Sequence, residues 1–147
     1  MAKTGTFTYS LRPKCRAADA VALLSDFSRH AEVHPLIVKV TEVPPVRGAV
    51  RSFVINDRLT IGPVGFTTSY TADVMTVTDD EVVTVARQRP GTTLHNHTRL
   101  FPEPDGTVRI EVTITLTAPT LLFGYAFKQA RTAHHALAER LQNVLES

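Results

Sequence analysis

The stretch TTLHNHTRLF, residues 92–101, carries His95, His97 and Arg99 at every second position. Alternate residues on a β-strand share a face, so these three side chains point the same way. A neutral imidazole can accept and return a proton near neutral pH, and a guanidinium can hold an enolate oxygen or a carboxylate. His97, His95 and Arg99 are therefore the candidate catalytic residues, on the condition that their face is interior. Facing water, they are ordinary solvated strand residues.

The other reactive side chains carry weaker signals. His30 and His34 stand one helical turn apart, a spacing that can hold a metal. No third ligand accompanies them, so a solvated helix face is expected and no metal site is assigned. His134 and His135 are adjacent, so at most one of them faces a core; His134 borders the apolar side of its helix. Cys15 is the only cysteine, which excludes an internal disulfide and leaves a plain thiol. Ser69 has no base in a recognisable nucleophile setting. No G-x-S-x-G, P-loop or zinc-helix motif occurs, and no cofactor is expected.

The elements that must position these residues can be read from periodicity. Residues 5–12 alternate loosely and read as a first strand. Val21, Leu24 and Phe27 then follow at helical spacing, and Ser25, Asp26 and Ser28 predict a break into two short helices. Pro35 should stop the second near His34. Six strand-like segments follow: 36–43, 49–59, 65–77, 81–88, 93–101 and 107–117. They are separated by Pro44-Pro45, Gly62-Pro63, Asp79-Asp80, Pro90-Gly91 and Asp105-Gly106. Thr120 is the expected N-cap of a helix running to the C-terminus. Phe123, Phe127, Ala130, Ala133, Leu137, Leu141 and Val144 form its apolar stripe. A stripe that long needs a long apolar partner, and the only comparable surface is one face of the sheet. A twisted sheet cannot seal against one helix across its whole width, so a gap between them is expected.

Register decides which side chains border that gap. The last strand alternates cleanly, with Val108, Ile110, Val112, Ile114 and Leu116 on its inner face. If Asp105-Gly106 is a two-residue loop, Phe101, Arg99, His97 and His95 pair with this apolar set and turn inward. A three- or five-residue loop, or a bulge, reverses them. Even-length turns elsewhere place Phe53, Ile55, Asp57 and Leu59 inside, with Phe66, Thr68, Tyr70, Ala72 and Val74. The same arithmetic turns Val83, Val85 and Arg87 inward. The expected ligand-contacting set is then Phe53, Ile55, Asp57, Phe66, Tyr70, Val85, Arg87, His95, His97, Arg99, Phe101, Ile110 and Val112. Phe123, Phe127 and His134 join it from the helix, although Phe123, Tyr125 and Phe127 suit helix-to-sheet packing equally well. So many polar groups cannot share a dry core. They imply a hydrated pocket with excess positive charge, suited to an apolar ligand with an acidic or carbonyl head.

Composition bounds the partners. The chain has 147 residues, 43% hydrophobic and 20% charged, with a net charge of +2. One domain over residues 1–147 is expected. Basic residues are scattered rather than striped, which argues against nucleic acid and a polybasic membrane patch. No apolar run reaches the roughly 18 residues of a membrane span. No apolar targeting stretch opens the sequence, so a cytoplasmic protein, monomer or homodimer, is expected.

The order strand, two short helices, six-strand meander, long helix resembles the SRPBCC or START-like superfamily with its helix-grip fold. The pieces that carry the likeness are DAVALLSDFSRHAEVHPLIVKVTEV, HTRLFPEPDGTVRIEVTITL and FGYAFKQARTAHHALAERLQNVLES, and it spans essentially the whole chain. It is most similar to the polyketide cyclase/dehydrase and lipid-transport-like branch, though it lacks the tryptophans such members often carry. The resemblance implies an α+β fold: a curved antiparallel sheet of about seven strands wrapped around a long C-terminal helix. It also implies a cavity for a small hydrophobic or amphipathic ligand between them. Two functions follow. One is binding or transport of a lipid-like or polyketide-like molecule. The other is a cyclase/dehydratase-type reaction, with His95 or His97 shuttling a proton and Arg99 or Arg87 stabilising an enolate. A third, an accessory protein acting through a partner, has no motif to support it.

Overall fold

The first segment forms β1 (Ala2–Leu11), which lies antiparallel to the last strand rather than to the next. Between them come α1 (Ala17–Leu24), a 3-10 helix (Phe27–Glu32), β2 (Ile37–Val43), β3 (Arg51–Ile61), β4 (Val64–Val77), β5 (Glu81–Gln88) and β6 (Thr92–Pro102). The chain closes with β7 (Val108–Pro119) and α2 (Thr120–Glu146). The structure, a computed structural model, describes residues 1–34, 36–61 and 63–147. The expected stop at Pro35, the Gly62 half of the Gly62-Pro63 turn and the inward side chain of Leu59 lie outside the described residues.

The seven strands make one antiparallel sheet in the order β1-β7-β6-β5-β4-β3-β2, so the meander is intact and β1 closes it beside β7. This is the expected α+β helix-grip architecture. The break between the two short helices falls at Ser25, and Asp26 caps the second by accepting the Ser28 amide at 3.0 Å. At α2 the expectation shifts by one residue. Thr120 is the first helical residue, and the cap position belongs to Pro119, which makes no side-chain cap hydrogen bond. Thr120 instead ties the helix to the residue before β1, its amide and hydroxyl both donating to the Met1 carbonyl at 3.1 and 3.2 Å.

The main core packs Leu137 and Leu141 of α2 and Leu23 of α1 against Leu11, Leu100 and the inner face of β7. Each large side chain buried there contributes about 1.5–3 kcal/mol. A second cluster, Phe53, Ile55, Ala72 and Val74 with Ile37, fills the other end of the sheet. Val144, expected in the helix stripe, is exposed; Leu145 packs on the core instead.

Two local features reverse the middle of the sheet relative to the expected register. The β4–β5 hairpin starts as expected, with Val77 opposite Val82 and Thr76 opposite Val83. Met75 then bulges, and beyond it Val74 faces Thr84 and Ala72 faces Ala86. The inner face of β5 is therefore Val82, Thr84 and Ala86, and Val83, Val85 and Arg87 turn outward. The β6–β7 connection is a three-residue loop, 104–106, closed by the Glu103 amide on the Thr107 carbonyl at 2.9 Å. Gly106 takes φ +86 there, a conformation that favours glycine. The odd loop pairs Leu100 with Ile110, Thr98 with Val112 and Asn96 with Ile114. Leu94, Asn96, Thr98 and Leu100 consequently face inward, and His95, His97, Arg99 and Phe101 do not.

Candidate functional site

Where α2 crosses the sheet, its bulky residues are concentrated away from its middle. Phe123 and Phe127 pack near the helix start, over Gly5 of β1, and Leu137 and Leu141 join the main core. Between them the helix presents Ala130 and Ala133, with Ala126 beside the phenylalanines, and the space left is a cavity of about 240 Å³. Its apolar wall includes Leu24, Phe27, Ile37, Val82, Leu94 and Val112, and its polar wall includes Thr68, Thr84, Asn96 and Thr98.

Of the expected ligand-contacting residues, Asp57, Tyr70, Val112 and His134 line this cavity. Phe53, Ile55 and Ile110 face inward but are consumed in core packing. Phe123 and Phe127 stack on each other at 5.2 Å beyond the cavity, and Phe66 is exposed near the β3–β4 turn. Arg87 still borders the cavity, but its guanidinium donates to the buried Asp73 at 2.9 Å across the outer face of the sheet.

The opening trio is corrected outright. His97 shares a hydrogen bond with Glu81 at 2.6 Å on the outer face, and Arg99 approaches the same carboxylate at 3.9 Å. His95 lies opposite Thr115, and Phe101 lies under the Arg109 guanidinium at 4.3 Å. The physical reason is parity: one residue more in the loop exchanges the two faces of β6. The excess positive charge expected inside leaves with them. Val85 is also on the outer face, although it is buried there.

Imidazoles do line the cavity, but different ones. His30, 6% exposed, is buried rather than solvated; its Nε2 donates to the Leu23 carbonyl at 3.0 Å. His34 accepts the Leu36 amide on Nδ1 at 3.2 Å. His134 shares a hydrogen bond with the Tyr9 hydroxyl at 2.9 Å. Burial pushes His30 and His34 down to about 4 and His134 to about 3, so all three are neutral at physiological pH. Among the described residues no three His, Cys, Asp or Glu gather in a geometry that could hold a metal ion.

Asp57 is the one carboxylate on the cavity wall among the described residues. Burial pushes it up to about 6, against a smaller opposing effect from a Tyr70 hydrogen bond. Burial and the neighbouring Asp57 raise Tyr70 in turn, so its phenol stays protonated. Oδ1 of Asp57 and the hydroxyl of Thr68, directly opposite it on β4, are buried with no hydrogen-bond partner among the described residues.

The chemistry of the site is therefore that of an apolar pocket with neutral donors and acceptors and a single perturbed acid. Sequence reasoning missed His30 and His34 because a helical His pair looks the same whether its face meets water or a sheet. It missed Asn96, Thr98 and Thr84 through the two register reversals.

No family model and no curated protein matches the chain. Solved structures do. The di-domain ARO/CYC StfQ from the steffimycin biosynthetic pathway superposes with a TM-score of 0.77 at 16% identity, over 97% of this chain and 51% of that one. This chain thus spans about half of that protein. A START superfamily protein from Mycobacterium smegmatis gives 0.72 at 13% identity, over 96% and 97% of the two chains. Norcoclaurine synthase from Thalictrum flavum gives 0.70 at 12% identity, over 97% and 87%. The chain has the START-like helix-grip fold. Among the described residues no helix is long and apolar enough to cross a membrane.

Proposed function

We propose that this protein binds, and by binding carries, a small hydrophobic or amphipathic molecule in the cavity between the sheet and α2. The observation that supports the reading is the cavity itself: about 240 Å³ of space walled mainly by apolar side chains, under a helix segment of alanines. Closing such a gap takes only larger side chains on α2, and close packing is the rule in protein interiors. The volume lies just below the roughly 300–1,000 Å³ of pockets for drug-sized ligands, which favours a compact ligand over a long lipid chain.

A cyclase/dehydratase-type reaction is the second reading. With His95, His97 and Arg99 on the outer face, it would have to run through Asp57, whose pKa of about 6 suits a general base, and the Tyr70 phenol.

The test is displacement of an environment-sensitive dye by a panel of fatty acids and mono- and bicyclic aromatics, backed by native mass spectrometry. The variant Ala130→Phe, which places a ring in the cavity, should weaken binding at least tenfold while the fold is retained. Absence of any bindable apolar compound, or undiminished binding by Ala130→Phe, would overturn the proposal.

A further inference from the structure

We propose that Asp57, together with Thr68 and Tyr70, anchors the protonated amine of a compact apolar ligand in the cavity. The inference rests on the cavity being a ligand site and adds the chemical class of its occupant.

Three observations carry it. First, Asp57 is 9% exposed, and its Oδ1 has no hydrogen-bond partner among the described residues. Second, the Thr68 hydroxyl directly across the strand pair is equally unpartnered, and Tyr70 shares the same inner face two residues along. Third, among the described residues Asp57 forms no ion pair; Arg87, the charged neighbour on the cavity wall, is turned to Asp73. A buried carboxylate without a counter-charge is disfavoured, and the Tyr70 hydrogen bond offsets only part of that cost.

An ammonium group supplies what the site lacks. It brings the missing positive charge and three N–H donors, and the site offers three oxygens on one wall as acceptors. Neutral ligands gain no charge pairing, and acidic ligands meet repulsion from Asp57. The apolar body of the ligand would lie against Leu24, Phe27 and Val112. A cavity of about 240 Å³ suits one or two rings.

The pH dependence is specific to Asp57. The other titratable groups facing the cavity are Tyr9 on β1, His30 on the 3-10 helix, His34 beyond it, Tyr70 on β4, Arg87 on β5, and Tyr125 and His134 on α2. The three imidazoles are held at or below about 4, and burial holds the Tyr9 and Tyr70 phenols above their ordinary range. Between about pH 5 and pH 8, Asp57 at about 6 is the group whose charge changes, and an alkylamine stays protonated throughout.

The experiment compares naphthylethylamine, naphthylethanol and naphthylacetate by calorimetry on the full chain. At about pH 7.5 the amine should bind at least tenfold more tightly than the alcohol, and the acid most weakly. Lowering to about pH 5 should reduce amine affinity about tenfold, as protonation of a group titrating near 6 requires, and leave the alcohol unchanged. Asp57→Asn should erase the amine preference and keep alcohol binding. Equal binding of amine and alcohol, or a preference surviving Asp57→Asn, overturns the amine assignment but leaves the pocket reading standing. Failure of all three probes and of the broader panel overturns both. If Asp57→Asn does not fold, the pH series on the unaltered protein decides, and a flat amine affinity overturns the assignment.

Discussion

Lowering the pH loads protons onto imidazoles that the folded protein holds neutral, and the cost can be worked from the cavity. His30 and His34 are pushed from 6.5 down to about 4 and His134 to about 3, chiefly by burial. Their folded pKa values lie below the unfolded ones, so the unfolded chain binds more protons and stability rises with pH across that window. Each such proton is worth about 1.4 kcal/mol per pH unit, so three contribute about 4 kcal/mol per unit. Asp57 works the other way: raised from 3.8 to about 6, it gives the folded state an extra proton over that range. The net is about two protons, or about 2–3 kcal/mol per unit between roughly pH 6 and pH 4. Over two units that removes about 5 kcal/mol, the lower end of what a domain has in total. Urea unfolding at half-unit pH steps measures this slope. His134→Gln, which can still bond to the Tyr9 hydroxyl but does not titrate, should lower the slope by about 1.4 kcal/mol per unit. Stability that stays flat from pH 6.5 to 4.5, or a slope unmoved by His134→Gln, refutes the reasoning.

Two further outcomes follow from the packing and the register. His97→Ala and Arg99→Ala should leave ligand binding unchanged and shift stability by less than about 1 kcal/mol, since their contacts with Glu81 are partly solvated on the outer face; a tenfold loss of binding in either variant would return β6 to the inward register. Gly5→Val should destabilise by about 1–3 kcal/mol, read as a lower Tm, because a Cβ there would sit 2.7 Å from Phe123 Cζ and 2.9 Å from Phe127 Cε1; an unchanged Tm would mean the two rings shift freely.

Much of this architecture was legible without coordinates, and the reason is that it depends on local periodicity. Val108 through Leu116 alternate so cleanly that the inner face of β7 could be read directly, and the apolar steps from Phe123 to Leu141 demanded a sheet to lie on. The β3–β4 pairing runs without a bulge from Ile61 opposite Val64, which keeps Asp57 and Tyr70 on the inner face that simple alternation assigns them. The histidines show the opposite case. Whether His95 and His97 look inward depends on one residue in the loop before β7, and whether Arg87 does depends on one bulged residue, Met75. Composition and spacing are almost blind to such single-residue shifts, yet each exchanges the two faces of a strand. The His30/His34 pair and His134 come from separate stretches of chain and owe their neutrality to shared burial. Burial is a property of the assembled interior, so only the tertiary structure could add His30 and His34 to His134.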